Sequence, residues 1–314
     1  MKLRNLGKSG LKVSLVGLGC NNFGRSVDLE TARNVVDKAL EMGITLFDTS
    51  DSYGNRGGSE ILLGKILGPR RKDVVLATKF SSQMDEEGRL RGASRHYIMS
   101  AVEASLRRLQ TDYIDLYQQH RPDPDTPIEE TLRALDDLIH QGKVRYIGNS
   151  NFAAWQVVDA HWTSRDLGIN SFVSCQKEYS VLVRDAEQEL IPAMESLGLG
   201  LLPYFPLACG LLTGKYRQGA PPPKGSRMFV WPELATRYFT EANWKKVELL
   251  GKFAAERGHT LLELAFSWLA ARPHVASVIA GATRPEQAEQ NARAPGWALT
   301  QEELGEIDRL TIEA

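Results

Sequence analysis

Apolar and polar positions alternate regularly along almost the whole chain. Short apolar stretches, typical of buried strands, are followed by stretches in which apolar residues recur every three to four positions, as in amphipathic helices. A short N-terminal hairpin is predicted from two apolar segments, 2–6 and 11–14, that flank a Gly-Lys-Ser-Gly turn. Eight strands are predicted after it, near residues 15–19, 46–49, 74–79, 114–119, 146–149, 172–176, 200–204 and 277–280.

The helices between these strands have end signals of their own. The segment 29–42 follows Asp28, a good N-cap residue, and is predicted to end at Gly43 as a C-cap. Residues 94–109 carry one apolar stripe, and residues 126–142 open with a Thr-Pro pair and end near a glycine. Strands and helices therefore alternate from one end of the chain to the other.

Eight strand–helix units are typical of a closed (β/α)8 barrel, the TIM barrel, which takes about 250 residues. We therefore predict an α/β protein with one (β/α)8 domain over residues 1–314, since no linker or repeat divides the chain. A doubly wound sheet is the alternative. The hairpin is expected to plug one mouth of the barrel. The Pro/Gly-rich stretch 219–232, after the seventh strand, is expected to be a long loop over the other mouth.

Composition and charge narrow the function. The 314 residues carry 38 Lys and Arg against 39 Asp and Glu, so a net charge of −1 gives no general attraction to nucleic acid or anionic lipid. The three cysteines, Cys20, Cys175 and Cys209, lie far apart, which predicts free thiols and no metal site. The N-terminus has no apolar signal core. We expect a cytoplasmic protein that binds neither nucleic acid nor membrane.

Candidate chemistry lies at the strand ends, where the active sites of barrels are built. Asp48 ends the second strand, with Tyr53 shortly after it, while Lys79 ends the third and His120 the fourth. Each could serve alone as a cap or a loop residue. In a barrel, however, all four would converge at one mouth, and buried charges are costly unless they pair.

These residues lie in motifs that resemble those of the aldo-keto reductases, and the resemblance covers essentially the whole chain. It implies that Asp48, Tyr53, Lys79 and His120 form a catalytic tetrad. The motifs are Phe-Asp-Thr at 47–49 with Tyr-Gly at 53–54, Thr-Lys at 78–79, Asp-Leu-Tyr at 115–117 leading into His-Arg-Pro at 120–122, Gly-Asn-Ser-Asn-Phe at 148–152, and Gly-Leu-Leu-Thr-Gly-Lys-Tyr at 210–216.

The residue types suit carbonyl reduction, which needs a hydride on carbon and a proton on oxygen. Tyr53 would be the general acid, with Lys79 lowering its pKa and Asp48 balancing the charge of Lys79. His120 would donate a hydrogen bond to the carbonyl oxygen. The substrate would be a small aldehyde or ketone.

No side chain donates a hydride, so a cofactor must supply it. The resemblance implies NADP, with NADPH preferred over NADH, because the guanidinium of Arg284 suits a 2′-phosphate. The residues that would contact the cofactor are Ser150, Asn151, Gln176, Tyr204, Leu207, Gly210, Leu211, Gly281, Arg284, Gln287, Gln290 and Asn291. Three positions depart from the family pattern, namely Phe205, Ala280 and Gln290, and they make the adenosine and phosphate contacts less certain than the chemistry.

The substrate pocket is weakly encoded. Asn22, Phe23 and Phe80 are candidates for its wall, and Phe229 and Trp231 are further ones. Aromatic residues in these places would suit small or aromatic aldehydes, but core packing explains them equally well. The sequence leaves the physiological substrate and the direction of the reaction open. It also leaves the oligomeric state open, with a homo-oligomer among the alternatives.

Two other functions remain open at this point. Lys79 could form a Schiff base, as in a class of aldolases, which would require an unpaired, desolvated amine. Some proteins with this barrel are redox-sensing channel subunits that bind the cofactor and turn over slowly. Such a role needs a docking surface for a partner, and the sequence does not reveal one.

Overall fold

The structure, a computed structural model, describes residues 1–312; residues 313 and 314, which the single-domain prediction includes, lie outside the described residues. The chain begins with an antiparallel hairpin of β1 (Leu3–Asn5) and β2 (Lys12–Ser14), in which Leu3 lies opposite Ser14. Eight parallel strands follow: β3 (Val16–Gly19), β4 (Leu46–Asp48), β5 (Val75–Phe80), β6 (Ile114–Gln119), β7 (Val144–Ser150), β8 (Ser174–Glu178), β9 (Gly200–Tyr204) and β10 (Val278–Gly281).

These strands form one sheet in the order β10-β3-β4-β5-β6-β7-β8-β9. The two edge strands meet through Leu201, whose N–H donates to the carbonyl of His274 at 2.8 Å. The N–H of Ala276 donates in turn to the carbonyl of Leu201 at 2.9 Å. The sheet therefore curls into a nearly closed barrel, as predicted, and the doubly wound alternative is wrong.

Helices pack around the outside of this barrel. They are α1 (Leu29–Glu41), α2 (Tyr53–Leu67), α3 (Arg95–Leu109), α4 (Ile128–His140), α5 (Ala154–Leu167), α6 (Leu190–Leu197), α7 (Arg227–Val230), α8 (Pro232–Tyr238), α9 (Glu241–Glu256), α10 (Leu261–Ala270), α11 (Pro285–Arg293) and α12 (Gln301–Ile312). The side chain of Asp28 caps α1 by accepting from the N–H of Thr31, and Gly43 takes a φ of +77° just beyond the helix. No helix among residues 1–312 is long and apolar enough to cross a membrane.

The hairpin closes the amino-terminal mouth of the barrel. Leu6 and Val13 are fully buried and pack against inward-facing strand residues such as Leu46, Leu116 and Leu202. This apolar plug fills the lower half of the barrel. The polar strand ends are therefore gathered at the carboxyl-terminal mouth, where any site must lie. The three cysteines are free and buried, as predicted.

The segment after β9 is largely the long loop that was predicted. Residues 219–226 are irregular, and the one-turn helix α7 follows them before α8 begins at Pro232. Met228, on α7, is buried in the outer core and holds this end of the loop against the barrel.

Candidate active site

Asp48 and Lys79 form a buried ion pair at the carboxyl-terminal mouth. Asp48 ends β4 and Lys79 lies near the end of the neighbouring strand β5. The Nζ of Lys79 lies 2.7 Å from Oδ2 of Asp48 and donates a second hydrogen bond to the main-chain carbonyl of Thr49 at 2.8 Å. Lys79 has no exposed surface. A buried charge of this kind is stable only with such partners.

Two amides complete the coordination of the Asp48 carboxylate. The Nε2 atoms of Gln176 and Gln118 donate to its Oδ1 at 2.8 and 3.3 Å. Both carboxylate oxygens are therefore occupied by donors, which fix the Asp48 carboxylate and, through it, the position of Lys79. Gln176 was predicted to contact a cofactor, and this amide nitrogen is engaged with Asp48.

The ion pair keeps Lys79 charged. Burial alone would lower the pKa of Lys79, but the negative charge of Asp48 and the neighbouring Tyr53 raise it above its ordinary value. A Schiff base needs a neutral amine as nucleophile. The geometry thus favours an electrostatic role for Lys79 over covalent catalysis.

Tyr53 lies between Lys79 and His120. The Nζ of Lys79 is 4.9 Å from the centroid of the Tyr53 ring, and the His120 ring meets the same ring edge-on at 5.7 Å. We expected Lys79 to lower the pKa of this phenol. Its charge does act in that direction, but burial outweighs it and the pKa of Tyr53 is raised overall. The phenol is therefore held in its protonated form.

His120 follows β6 and is neutral. Burial, and then the positive charges of Lys79 and Arg121, lower its pKa well below the ordinary value. Its Nδ1 lies 3.2 Å from the hydroxyl oxygens of both Ser50 and Ser82. The one proton of the Ser50 hydroxyl goes to Asp51, so the Ser82 hydroxyl is the donor to Nδ1. We therefore assign the ring proton to Nε2, which is then free to donate to a substrate oxygen.

A second carboxyl, Asp51, lies behind His120. It is 2% exposed, and the hydroxyl of Ser50 donates to its Oδ1 at 3.1 Å. Its Oδ2 is buried without a partner among the described residues. Burial, and then the negative charge of Glu60, raise the pKa of Asp51 to about 7. The Asp51 carboxyl thus binds its proton more tightly than an ordinary aspartate does.

The residues predicted at the nicotinamide end come together beside His120. The hydroxyl of Ser150 donates to the main-chain carbonyl of Gln176 at 3.1 Å, and the side-chain amide of Asn151 donates to the carbonyl of His120 at 3.1 Å. The hydroxyl of Tyr204 donates to Oδ1 of Asn151 at 2.9 Å. The ends of β7, β8 and β9 thus form one hydrogen-bonded wall.

The residues predicted at the adenosine end lie on β10 and α11. Arg284 immediately precedes α11, and its side chain is 65% exposed. The side chain of Gln287 accepts from the N–H of Thr283 at 2.8 Å and so closes the turn before α11. Asn291 is buried and donates to the carbonyl of Gly281 at 3.5 Å, while Gln290 lies on the same helix.

Lys215, Arg227 and Arg284 are close enough for their charges to interact. Burial, and then the positive charges of Arg227 and Arg284, lower the pKa of Lys215. Gly210 has a φ of +94°, and a Cβ there would lie 2.8 Å from Nζ of Lys215. A cradle of this kind fits a phosphate-bearing group, because a bound anion would neutralise cations that the protein leaves close together. Leu207 and Leu211 flank this glycine.

The structure places the predicted pocket residues differently. Phe23 and Phe80 have no exposed surface and pack in the outer core, where the Phe80 ring lies 4.8 Å from that of Tyr117. Strand ends that are buried on both sides give no alternation from which to tell core from pocket. Asn22 lies beside Gly281, with its side-chain nitrogen 3.5 Å from where a Cβ would lie.

Sequence reasoning missed several polar residues at this mouth. Gln118 lies on β6, two residues before His120, so period-2 alternation could have identified it as inward-facing. Ser50 lies two residues after Asp48, so the same period-2 alternation could have identified its side chain as inward-facing. Ser82 lies on an irregular segment and Arg227 begins the short helix α7, and no sequence signal identifies either. Lys215 lies within the 210–216 motif, which did not indicate its role.

Comparisons with known proteins show the family of this chain. The family model described as "Aldo/keto reductase family" matches residues 15–312. A "Probable voltage-gated potassium channel subunit beta" of Arabidopsis thaliana is 39% identical over 301 residues, which cover 94% of this chain and 91% of that protein. The "Uncharacterized oxidoreductase YrpG" of Bacillus subtilis (strain 168) is 37% identical over 314 residues, which cover 97% of this chain and 94% of that protein.

Proposed function

Because the chain belongs to the aldo/keto reductase family, we propose that it reduces aldehydes or ketones to alcohols with NADPH. The observation that carries this proposal is the convergence of Tyr53, His120 and the Asp48–Lys79 ion pair at one mouth of the barrel. Tyr53 is an acid, His120 is a neutral hydrogen-bond donor and Lys79 is a buried cation. Together these three groups can stabilise the negative charge that develops on an alkoxide oxygen.

In this proposal the bound NADPH supplies the hydride. Ser150, Asn151 and Tyr204 hold the nicotinamide end, and Lys215 and Arg284 hold the phosphates. The last two residues support NADPH over NADH, since a 2′-phosphate adds negative charge at the adenosine end.

The protein's own residues move the proton. Nε2 of His120 donates a hydrogen bond to the carbonyl oxygen and orients it toward Tyr53. The phenol of Tyr53 then gives its proton to the oxygen as negative charge develops there. Lys79, fixed by Asp48, stabilises the phenolate that remains. Burial raises the pKa of the free phenol, so Tyr53 carries the proton that it must donate before reaction.

The test follows NADPH absorbance with a panel of aldehydes and ketones. Tyr53→Phe should lower kcat by about 10²- to 10⁴-fold, which is the usual contribution of a positioned general acid to the rate. It should not weaken NADPH binding. Tyr113→Phe, a change of the same kind outside the mouth, is the matched control and should leave kcat unchanged. A Tyr53→Phe variant that keeps wild-type kcat would refute the assigned acid. Equal kcat/KM for NADH and NADPH would refute the role of Arg284.

A second candidate comes from the relatives named as channel subunits. For this chain it would mean tight cofactor binding with slow turnover, as part of a larger assembly. Single-turnover stopped-flow separates the two. Slow oxidation of bound NADPH with every carbonyl compound tested would favour the second candidate, and oxidation at an ordinary enzymatic rate would favour the first.

A further inference from the structure

A cavity of about 530 Å³ opens directly beside Tyr53. Three segments at the barrel mouth line this cavity. They are the segment after β3 with Arg25, the start of α2 with Arg56, and the loop after β5 with Glu86. Trp231, at the junction of α7 and α8, forms a further wall. Two guanidinium groups thus share one space with the proposed acid.

Arg25 is held in place without a counterion. Its guanidinium lies over the indole of Trp231, 4.6 Å from the ring centroid. Among residues 1–312 it has no carboxylate within 4.0 Å and no side-chain hydrogen bond, unlike most arginines of this chain. Stacking on an aromatic face restrains a guanidinium while leaving its N–H edges free to donate.

Arg56 is presented by an unusual backbone. Gly54, Asn55 and Arg56 have φ values of +67°, +60° and +65°, and Gly57 continues at +110°. A left-handed run that includes an arginine is costly for L-residues, and such strain is concentrated at functional sites. The acid nearest to Arg56 is Glu86, at 4.0 Å, whose side chain is 87% exposed. Arg56 is therefore only weakly neutralised.

We propose that the substrate is a carbonyl compound that carries an anionic group, a carboxylate or a phosphate, at the end remote from the carbonyl. Arg25 and Arg56 bind that group, while the carbonyl oxygen lies between Tyr53 and His120. The planar fork of a guanidinium suits either anion. This inference rests on the proposed function, and it adds a substrate class to it.

The experiment compares three aldehydes of one shape: 4-formylbenzoate, 4-formylphenyl phosphate and the neutral methyl 4-formylbenzoate. The readout is the ratio of kcat/KM for each anion to that for the ester, in wild type and in variants, so that intrinsic reactivity cancels. Arg25→Gln and Arg56→Gln should each lower the ratio about three- to fivefold, as expected for exposed ion pairs. Glu86→Gln, which removes a competing negative charge, should raise the kcat/KM ratio of anion to ester. The anion that the arginines prefer is the one whose ratio falls more in Arg25→Gln and Arg56→Gln.

Arg133→Gln, which removes an exposed charge on α4, is the matched control and should leave the ratio unchanged. Ratios that stay at the wild-type value in both arginine variants would overturn the inference while leaving the reductase intact. Weakened NADPH binding in those variants would also overturn it, because the arginines would then serve the cofactor. If no aldehyde is turned over, the proposed function fails separately. Calorimetric binding of 4-formylbenzoate to wild type and to Arg25→Gln then still decides whether the anion site exists.

Discussion

Replacing Asp51 with asparagine should make the protein more stable at neutral pH and above. The Asp51 carboxyl is buried, with one donor at 3.1 Å and an oxygen that has no partner among the described residues. Its ionised form is therefore poorly solvated, and the pKa rises from an ordinary 3.8 to about 7. Asparagine keeps the shape and the acceptor but cannot ionise.

The sign follows from proton binding. Between the unfolded pKa of 3.8 and the folded pKa of about 7, the folded protein holds one proton more than the unfolded chain. The free energy of unfolding therefore falls as pH rises, by about 1.4 kcal/mol per pH unit from this group. Over three units the ionisation of Asp51 costs about 4 kcal/mol, and above about pH 7 the cost is constant.

The assay is urea unfolding of wild type and Asp51→Asn from about pH 5 to about pH 8. Taking the difference between the two proteins cancels every other titrating group. The advantage of Asp51→Asn should grow by about 3 kcal/mol across this range and then level off. Asp166→Asn, at an exposed position of α5, should show a flat difference. A flat difference for Asp51→Asn as well would refute the reasoning, because the carboxyl would then be solvated in the folded state.

Three further predictions concern the core and the site. Lys79→Met should destabilise the protein by about 3–5 kcal/mol, because it leaves the Asp48 carboxylate buried and unpaired, and adding Asp48→Asn should restore most of the loss in urea unfolding. Gly64→Ala should lower stability by about 3 kcal/mol in thermal unfolding, since its Cβ would clash with the main-chain oxygen of Arg108; an unchanged Tm would contradict that packing. His120 should show no titration by NMR from about pH 6 to about pH 8, because burial and nearby cations depress its pKa, and a midpoint near about 6.5 would contradict a neutral ring.

The sequence by itself determined the architecture of this protein and where its candidate residues stand relative to the strands. The period of apolar positions predicted all eight strands and the hairpin, because solid apolar runs between amphipathic helices are compatible with few folds. The positions of Asp48, Lys79 and His120 at strand ends then placed them at one mouth. Local pattern sufficed in these cases, since a strand's end and direction are set by its own residues.

Tertiary structure decided which of these groups touch and what their environment does to them. The amides of Gln118 and Gln176 reach Asp48 from strands that lie far away in sequence, and only the curvature of the barrel brings them together. The stacking of Arg25 on Trp231 joins residues that lie far apart in the sequence. The pKa of Tyr53 changed direction from the expectation, because burial outweighed the nearby ammonium. Burial and long-range contact depend on the packed surroundings of a residue, and the local sequence does not contain them.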